Sequence, residues 1–364
     1  MKKIIIIGNG LSAWSVANAF VNKNVHITII GKKKSIFGAQ QLSPNGFVGL
    51  KNLTQNEDFK NIIYEIIQFQ INNNYNKKTK NLNNFYFNEF NLKYYSVSRE
   101  MLLNLLIKNI KNKIQINEIN ESCVGIIEKF SGKLDVLMDN DELISADIVI
   151  GADGVNGITR KYVCGTTSIV KKKVFRGMSN DKNIQLLQQK KLELNFLNYG
   201  HFVSYPFINN NKKYINCVFV PNKSFQNSNN ILDKLKNISK YSSIDWNEGY
   251  FYFYQDEIQT LHKNNILLFG DAGFSFEPHL AQVGNNIIED ASYLKFLIEN
   301  NNSYDEIFEK FSRNTCKKKR ELKTISNIVG IFFGINTFTK LRDGLVSNFS
   351  NKLMYDFFKK VWYD

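Results

Sequence analysis

At 364 residues, 43% hydrophobic and 13% aromatic, the chain can bury one large core or two domains that share one, which excludes global disorder. The net charge of +14 raises nucleic-acid binding, yet the lysines are spread among an excess of Asn and Ile. No aromatic-interleaved RNA motif or helix-turn-helix pattern accompanies them, so no nucleic-acid partner is expected.

No segment approaches the roughly eighteen uninterrupted apolar residues of a membrane span, and the longest apolar stretch, 328–335, contains Gly330 and Gly334. The cysteines (Cys123, Cys164, Cys217, Cys316) and histidines (His26, His201, His262, His279) are scattered without metal-ligand or disulfide spacing, which predicts reduced thiols and no metal. The basic runs at 32–34, 171–173 and 317–320 read as solvated faces that can also attract an anionic substrate, NADPH or a membrane surface.

In chain order, residues 3–8 read as a buried strand, 11–21 as a helix and 25–30 as a second strand, a βαβ opening. The apolar run in MKKIIIIGNG is too short for a secretory segment, so the first strand implies a cytoplasmic protein. Between strand and helix lies Gly8-Asn9-Gly10-Leu11-Ser12-Ala13, a G-x-G-x-x-A motif. Gly8 permits the turn, Gly10 lets a pyrophosphate approach the backbone, and Ala13 allows close helix packing at the N-terminus that faces the phosphates. The acid expected after the second strand is missing; Gly31 stands there, followed by Lys32, Lys33 and Lys34. That substitution keeps an NADP-dependent oxidoreductase open as a competing reading.

The Asn-rich segment 72–91 contains little apolar material, and its first half reads as a loop. Residues 99–110 form an amphipathic helix; 147–150 is a strand ending in Gly-Ala-Asp-Gly; and 174–259 alternates as a separate sheet that should contact substrate. Residues 265–269 are a further strand before Gly270-Asp271-Ala272-Gly273, with a helix at 285–299 and mainly helical sequence after 301. The expected division is 1–173 and 260–300 for a discontinuous nucleotide domain, 174–259 for the substrate region and 301–364 for C-terminal helices.

The stretch from Asp147 through Gly151, Asp153 and Gly154 to Arg160 resembles the DG fingerprint of the flavoprotein aromatic hydroxylases. Gly270-Asp271-Ala272, followed by Pro278-His279-Leu280-Ala281-Gln282-Val283-Gly284-Asn285-Asn286 and Glu289-Asp290-Ala291, resembles their GD fingerprint. Further likeness appears in Gly38-Ala39 through Asn45, Ser98-Arg99 with Leu102 and Leu106, Phe175-Arg176-Gly177, Tyr205-Pro206 and Asn216. The tail from Leu341 to Asp364 looks like the C-terminal helices of the salicylate-hydroxylase-like and ubiquinone-biosynthesis branches.

The resemblance implies an α/β fold: a Rossmann-like FAD-binding domain, an inserted mainly β substrate domain and C-terminal helices. It implies FAD held by Gly8, Gly10, Leu11, Ser12, Ala13, Arg99, Asp153 and Gly154, with Asp271 on the ribityl chain. Pro278, Gln282, Gly284 and Asn285 would lie by the flavin ring. It also implies NADPH or NADH as a transient reductant, O2, a flavin C4a-hydroperoxide, and a small aromatic or prenylated phenolic substrate. The basic, apolar C-terminal region suits peripheral membrane contact for a lipid-linked substrate. Removal of a phenolic proton asks for a base, for which His201 is the first candidate and His279 the second. The chain departs from the family pattern at Gly31, Gly157, Gly273-Phe274 and Val283, which keeps a catalytically silent flavin-binding protein among the alternatives.

Overall fold

Four consecutive β-branched residues, Ile4 to Ile7, are all buried, and such a run fits a parallel strand covered on both faces. In the computed structural model this strand is the centre of the nucleotide sheet. The structure describes all residues except 55–56, 74–77, 84–92, 166, 180–186, 188, 229, 238–243, 302, 334–350 and 364.

The first half of the chain runs β1 (Lys2–Ile7), α1 (Leu11–Asn18), β2 (Val25–Ile30), β3 (Ala39–Leu42), α2 (Pro44–Thr54), β4 (Ile63–Ile66), β5 (Gln68–Asn73) and β6 (Lys78–Asn83). Next come β7 (Tyr94–Ser98), α3 (Arg99–Lys111), β8 (Ile116–Ile119), β9 (Cys123–Glu128), β10 (Leu134–Met138), β11 (Leu143–Ala146), β12 (Ile148–Gly151) and α4 (Thr159–Cys164). Long strands follow: β13 (Ile169–Ser179), β14 (Lys191–Leu197), β15 (Gly200–Asn209) and β16 (Lys212–Pro221), then α5 (Ile231–Lys236) and β17 (Asp245–Tyr254). The chain continues through β18 (His262–Lys263), β19 (Ile266–Leu268), α6 (Val283–Asn300), α7 (Tyr304–Phe333) and α8 (Asn351–Tyr363).

The nucleotide sheet has the order β18-β19-β12-β1-β2-β8, parallel except for β18. Helix α1 buries Trp14 completely, and Asn18 Nδ2 donates to Trp14 O and Leu106 O, which ties α1 to α3. The helix expected to reach residue 21 ends at Asn18, because the following residues turn to Asn22, whose φ of 72° lies in the left-handed region. The apolar face of α6 packs on the same core, so the chain after β19 returns to the domain that β1 opened.

A seven-stranded sheet, ordered β17-β13-β16-β15-β14-β5-β6, carries the alternating segment beyond residue 169. It also takes in two strands from far upstream, β5 and β6. Lys78–Asn83 is therefore a strand, not part of the loop read from the Asn-rich sequence; residues 74–77 and 84–91 of that segment lie outside the described residues. What holds this strand is pairing rather than an apolar face. β5 runs parallel on β14, and Asn72 is bonded across strands to Asn195 at 2.9 Å and to Thr79 at 3.2 Å.

Lys319 of α7 meets Asp290 of α6 at 2.8 Å in a nearly dry interface, where burial raises the Asp290 carboxyl and Lys319 opposes that rise. Lys319→Met should cost about 3–5 kcal/mol of unfolding free energy by leaving the acid uncompensated, and adding Asp290→Asn should recover most of it. Denaturant midpoints of the two variants check this; equal losses would show that the pair is not the cause.

Candidate active site

The turn after β1 is built for close approach. Gly8 has φ +121°, and a Cβ there would lie 2.2 Å from Ala152 O, so only glycine fits between β1 and the turn after β12. Asn9 pins the loop from inside: its Oδ1 accepts from Trp14 Nε1 at 2.8 Å and its Nδ2 donates to Gly31 O at 3.0 Å. Gly10 is the N-cap of α1 and makes no side-chain cap, while a Cβ on it would meet nothing within 4 Å. The first-turn N–H groups of α1 thus open onto free space, where an anion is favoured.

The missing acid has a steric cause. A Cβ at position 31 would stand 2.9 Å from Asn9 N and Gly8 C, so any side chain there would push the glycine loop away. Two of the three lysines that follow are engaged elsewhere: Lys32 pairs with Asp139 at 2.7 Å and Lys33 with Glu118 at 3.2 Å. These ion pairs weaken the NADP reading of the run.

The two later motifs converge on the same loop. Asp153 accepts from Thr159 N at 3.0 Å and Thr159 Oγ1 at 2.5 Å, and its carboxylate fills the place a side chain at Gly157 would need, since a Cβ there would stand only 2.0 Å from Asp153 Cγ. Gly157 therefore suits this arrangement. Gly154, with φ +78°, turns the chain beyond it. Arg160 stacks over Tyr254 at 3.5 Å and donates to Ala272 O at 3.3 Å and to Gly273 O, joining the DG segment to the GD turn. That turn packs on α1, since a Cβ at Gly270 would lie 2.2 Å from Ser12 Oγ. Leu11 packs against the domain core and Ala13 is fully buried in it.

Asp271 is the electrostatic centre of this junction. Its Oδ1 is buried without a hydrogen-bond partner, and it caps no helix: Phe269 holds the N-cap position of the turn Gly270–Ala272, which has no side-chain cap. Burial pushes the carboxyl up to about 6, with Arg99 and Lys319 limiting the rise. Arg99 begins α3, where Ser98 Oγ accepts from Met101 N.

Gln282 and Asn285 do a different job, because their side chains are bonded to protein. Gln282 donates to Ser43 Oγ and accepts from Asn45 Nδ2, both at 3.0 Å, while Asn285 accepts from Ser43 N and donates to Ala281 O. They clasp the start of α6 to the start of α2.

Beside this junction lies a cavity of about 740 Å³. Its floor is one face of the long sheet, where register pairs Phe196 with His201 and His201 with Val220, Leu194 with Val203 and Val203 with Val218, and Tyr205 with Asn216. Pro278 to Ala281 with Gly284, the end of α7, α8 and residues around β3 add further walls, and Val283 lines it where the family pattern has glycine. His201 is 5% exposed, its ring 4.9 Å from Phe333 and 5.4 Å from His279. His279 Nε2 lies 2.8 Å from Glu277 Oε2, and Lys172 Nζ is 2.6 Å from Glu277 Oε1. Burial alone would raise the Glu277 carboxyl, but His279 and Lys172 bring it to about 2.

The residues present fit FAD. The groups that would meet it are a loop open to phosphate, an acceptor without a partner on Asp271, and a buried donor without a partner, Gln40 Nε2, in the cavity wall. Sequence reading brought out Asp271, His201 and the Pro278 loop but missed Gln40, Lys172, Glu277 and the bridging role of Arg160. Gln40 lies inside the segment already singled out from Gly38 to Asn45, and Glu277 directly precedes Pro278.

The chain has the fold of the FAD-dependent aromatic-ring hydroxylases. HpxO of Klebsiella pneumoniae, complexed with FAD and uric acid, superposes with a TM-score of 0.84 at 16% identity over 99% of this chain and 96% of that one. A salicylate hydroxylase substrate complex gives 0.72 at 14% identity, covering 98% and 97%. The 2,6-dihydroxypyridine-3-hydroxylase of Arthrobacter nicotinovorans gives 0.72 at 13%, covering 89% and 90%. No protein-family model matches the chain, and no curated protein sequence matches it.

The raised Asp271 carboxyl makes a signed prediction for the cofactor-free chain. Because its folded value of about 6 exceeds the ordinary carboxylate range, the stability it contributes is present at low pH and lost as pH rises through about 6. Asp271→Asn should therefore stabilise the FAD-free protein by on the order of 1–3 kcal/mol near pH 7.5 and by little near pH 4. Thermal unfolding at the two pH values checks it; the same difference at both would contradict the assignment.

Proposed function

We propose that the chain is an FAD-dependent, NAD(P)H-consuming monooxygenase that hydroxylates an aromatic or quinone-precursor ring. The observation that carries this reading is the meeting of the glycine loop, the DG segment and the GD turn around the partnerless Asp271 Oδ1, beside a large apolar cavity. Bound FAD supplies the oxygen activation that amino-acid side chains lack.

The protein's part is position and exclusion of water. The α1 N-terminus, through Gly8, Gly10, Leu11, Ser12 and Ala13, would receive the pyrophosphate, and Asp271 would accept from the ribityl hydroxyls. Arg99 supplies positive charge near that carboxylate; Asp153 and Gly154 shape the adjoining loop; Gln282 and Asn285 fix the α6 start to α2 and would support the flavin from there; Pro278 and Gly284 line the cavity. The walls of Leu192, Leu194, Phe196, Phe333 and Trp362 keep the reacting centre dry. His201, buried among Phe333 and His279, is our candidate to take the proton of a ring hydroxyl.

NADPH or NADH would visit transiently, since the chain contains one glycine loop of this type and FAD would fill it. No helix among the described residues is long and apolar enough to cross a membrane. The same reading takes the enzyme as cytoplasmic, with peripheral membrane contact for a prenylated phenol or ubiquinone precursor through exposed Ile328, Ile331 and Leu353.

FAD should copurify or bind on addition, and a phenolic substrate should accelerate NAD(P)H oxidation by the loaded protein. Failure to take up FAD under any condition would overturn the reading. Asp271→Ala should weaken FAD by roughly tenfold to a hundredfold, as expected for loss of a hydrogen bond to a charged acceptor. Gly10→Val, whose side chain would enter the open space at the α1 N-terminus, should reduce FAD affinity at least as much in a folded protein. Fluorescence titration of FAD into each apoprotein measures both, and wild-type affinity in either would remove the corresponding contact.

A further inference from the structure

Two of the chain's histidines line the cavity, and they come from different elements. His201 stands on β15 between Phe196 and Val220, whereas His279 belongs to the turn Pro278–Leu280 that precedes α6. Their ring centroids are 5.4 Å apart, and Phe333 of α7 packs on both. At that separation facing ring nitrogens can exchange a proton directly or across one water.

The surroundings of His279 fix how its ring is held. Nε2 is 2.8 Å from Glu277 Oε2, and the other Glu277 oxygen meets Lys172 Nζ at 2.6 Å. The backbone of this acid is also tied, because Ser326 Oγ of α7 donates to Glu277 O at 2.5 Å. On the same edge of the imidazole α7 presents Gly330, where a Cβ would lie 2.6 Å from both Nε2 and Cδ2. Glycine at 330 is therefore what lets α7 close on the ring. Nδ1 is the ring atom opposite that edge, and it is buried without a hydrogen-bond partner.

His279 and Lys172 hold the Glu277 carboxyl at about 2, so at neutral pH it is a carboxylate that can only accept. Nε2 of His279 then carries a proton whether the ring is neutral or charged, and in the neutral ring Nδ1 is left as an acceptor. A buried acceptor without a partner is costly. The remaining charged groups on the cavity wall among the described residues are Arg99, Arg176, Asp356 and Lys360, and α7 contributes only apolar side chains there.

We propose that Glu277 and His279 form a proton-accepting pair behind His201: Glu277 is a positioning residue, and Nδ1 of His279 takes the proton that His201 receives from the ring hydroxyl. This rests on the ring-hydroxylase reading with His201 as its base and adds the two residues that support that base. The proton leaves the substrate oxygen for His201 and passes to His279, whose imidazolium is then paired with the Glu277 carboxylate. The electron pair of the O–H bond stays on the substrate oxygen. The same route returns a proton to the product hydroxyl, so the pair ends as it began. Glu277 is a counter-charge throughout, not a carrier.

The chain has only four histidines, so each ring can be followed by magnetic resonance once the histidine nitrogens are isotopically labelled. In the FAD-saturated protein, neutral His279 should carry its proton on Nε2, and His201 and His279 should titrate as a coupled pair. A neutral His279 protonated on Nδ1, or a His201 titration unchanged by His279→Gln, would overturn the proposal. A second measurement follows the ionisation of bound para-nitrophenol by its absorbance. Glu277→Gln and His279→Gln should each raise the pH at which the bound phenol ionises by about one unit, which is tenfold less phenolate at a given pH. FAD affinity should stay at its wild-type value in both. A purely structural role would weaken phenol binding without moving that pH, and this result would also overturn the proposal. Failure to load FAD or to bind any phenol counts against the hydroxylase reading and the pair with it. Phenol binding with wild-type ionisation in both variants leaves the hydroxylase reading intact and removes only the pair.

Discussion

Arg160 joins three parts of the chain that are remote in sequence. Its guanidinium covers the Tyr254 ring at the end of β17 and donates to the carbonyls of Ala272 and Gly273 in the GD turn, while its own backbone belongs to α4. Burial of that charge is unfavourable in itself and lowers its pKa, so the carbonyl acceptors and the aromatic face are what make it tolerable. Through this group the inserted sheet, the DG segment and the GD turn keep a fixed relation. The packing of the GD turn, with Asp271, against Ser12 of α1 follows from that relation.

Much of this was legible from residues alone because the nucleotide elements are local. A buried isoleucine run, a glycine turn and a helix occupy fewer than twenty consecutive residues, and their geometry is dictated by nearest neighbours. The DG and GD segments were likewise found where strands end. The missed features depend on distant pairing. Nothing in Asn72 or Thr79 announces a strand until Asn195 is alongside, and nothing in Gly31 reveals that the space for an acid is taken by Gly8 and Asn9. Glu277 reads as an ordinary loop acid until Lys172 arrives from β13.

The basic composition acquires a different meaning in three dimensions. Lysines of the runs at 32–34, 171–173 and 317–320 are repeatedly met by acids from other elements, including Asp139, Glu118, Glu277, Glu289 and Asp290. Apart from the buried Lys319–Asp290 pair, these exposed pairs add little stability, but together they neutralise several lysines of the three runs.

The parallel pairing of β5 with β14 also governs how the molecule comes into being. Residues 68–73 must wait for residues 191–196 before their ladder closes, and antiparallel neighbours on one side cannot substitute for it. A loop of that length is entropically expensive to close early, so the cavity floor belongs to the slow phase of folding, after the local βαβ opening has formed. During that interval the edge of β14 presents unpaired N–H and C=O groups. The nascent chain is then most open to strand-to-strand misassociation, and the finished hairpin of β5 and β6 serves as the cover that ends this exposure.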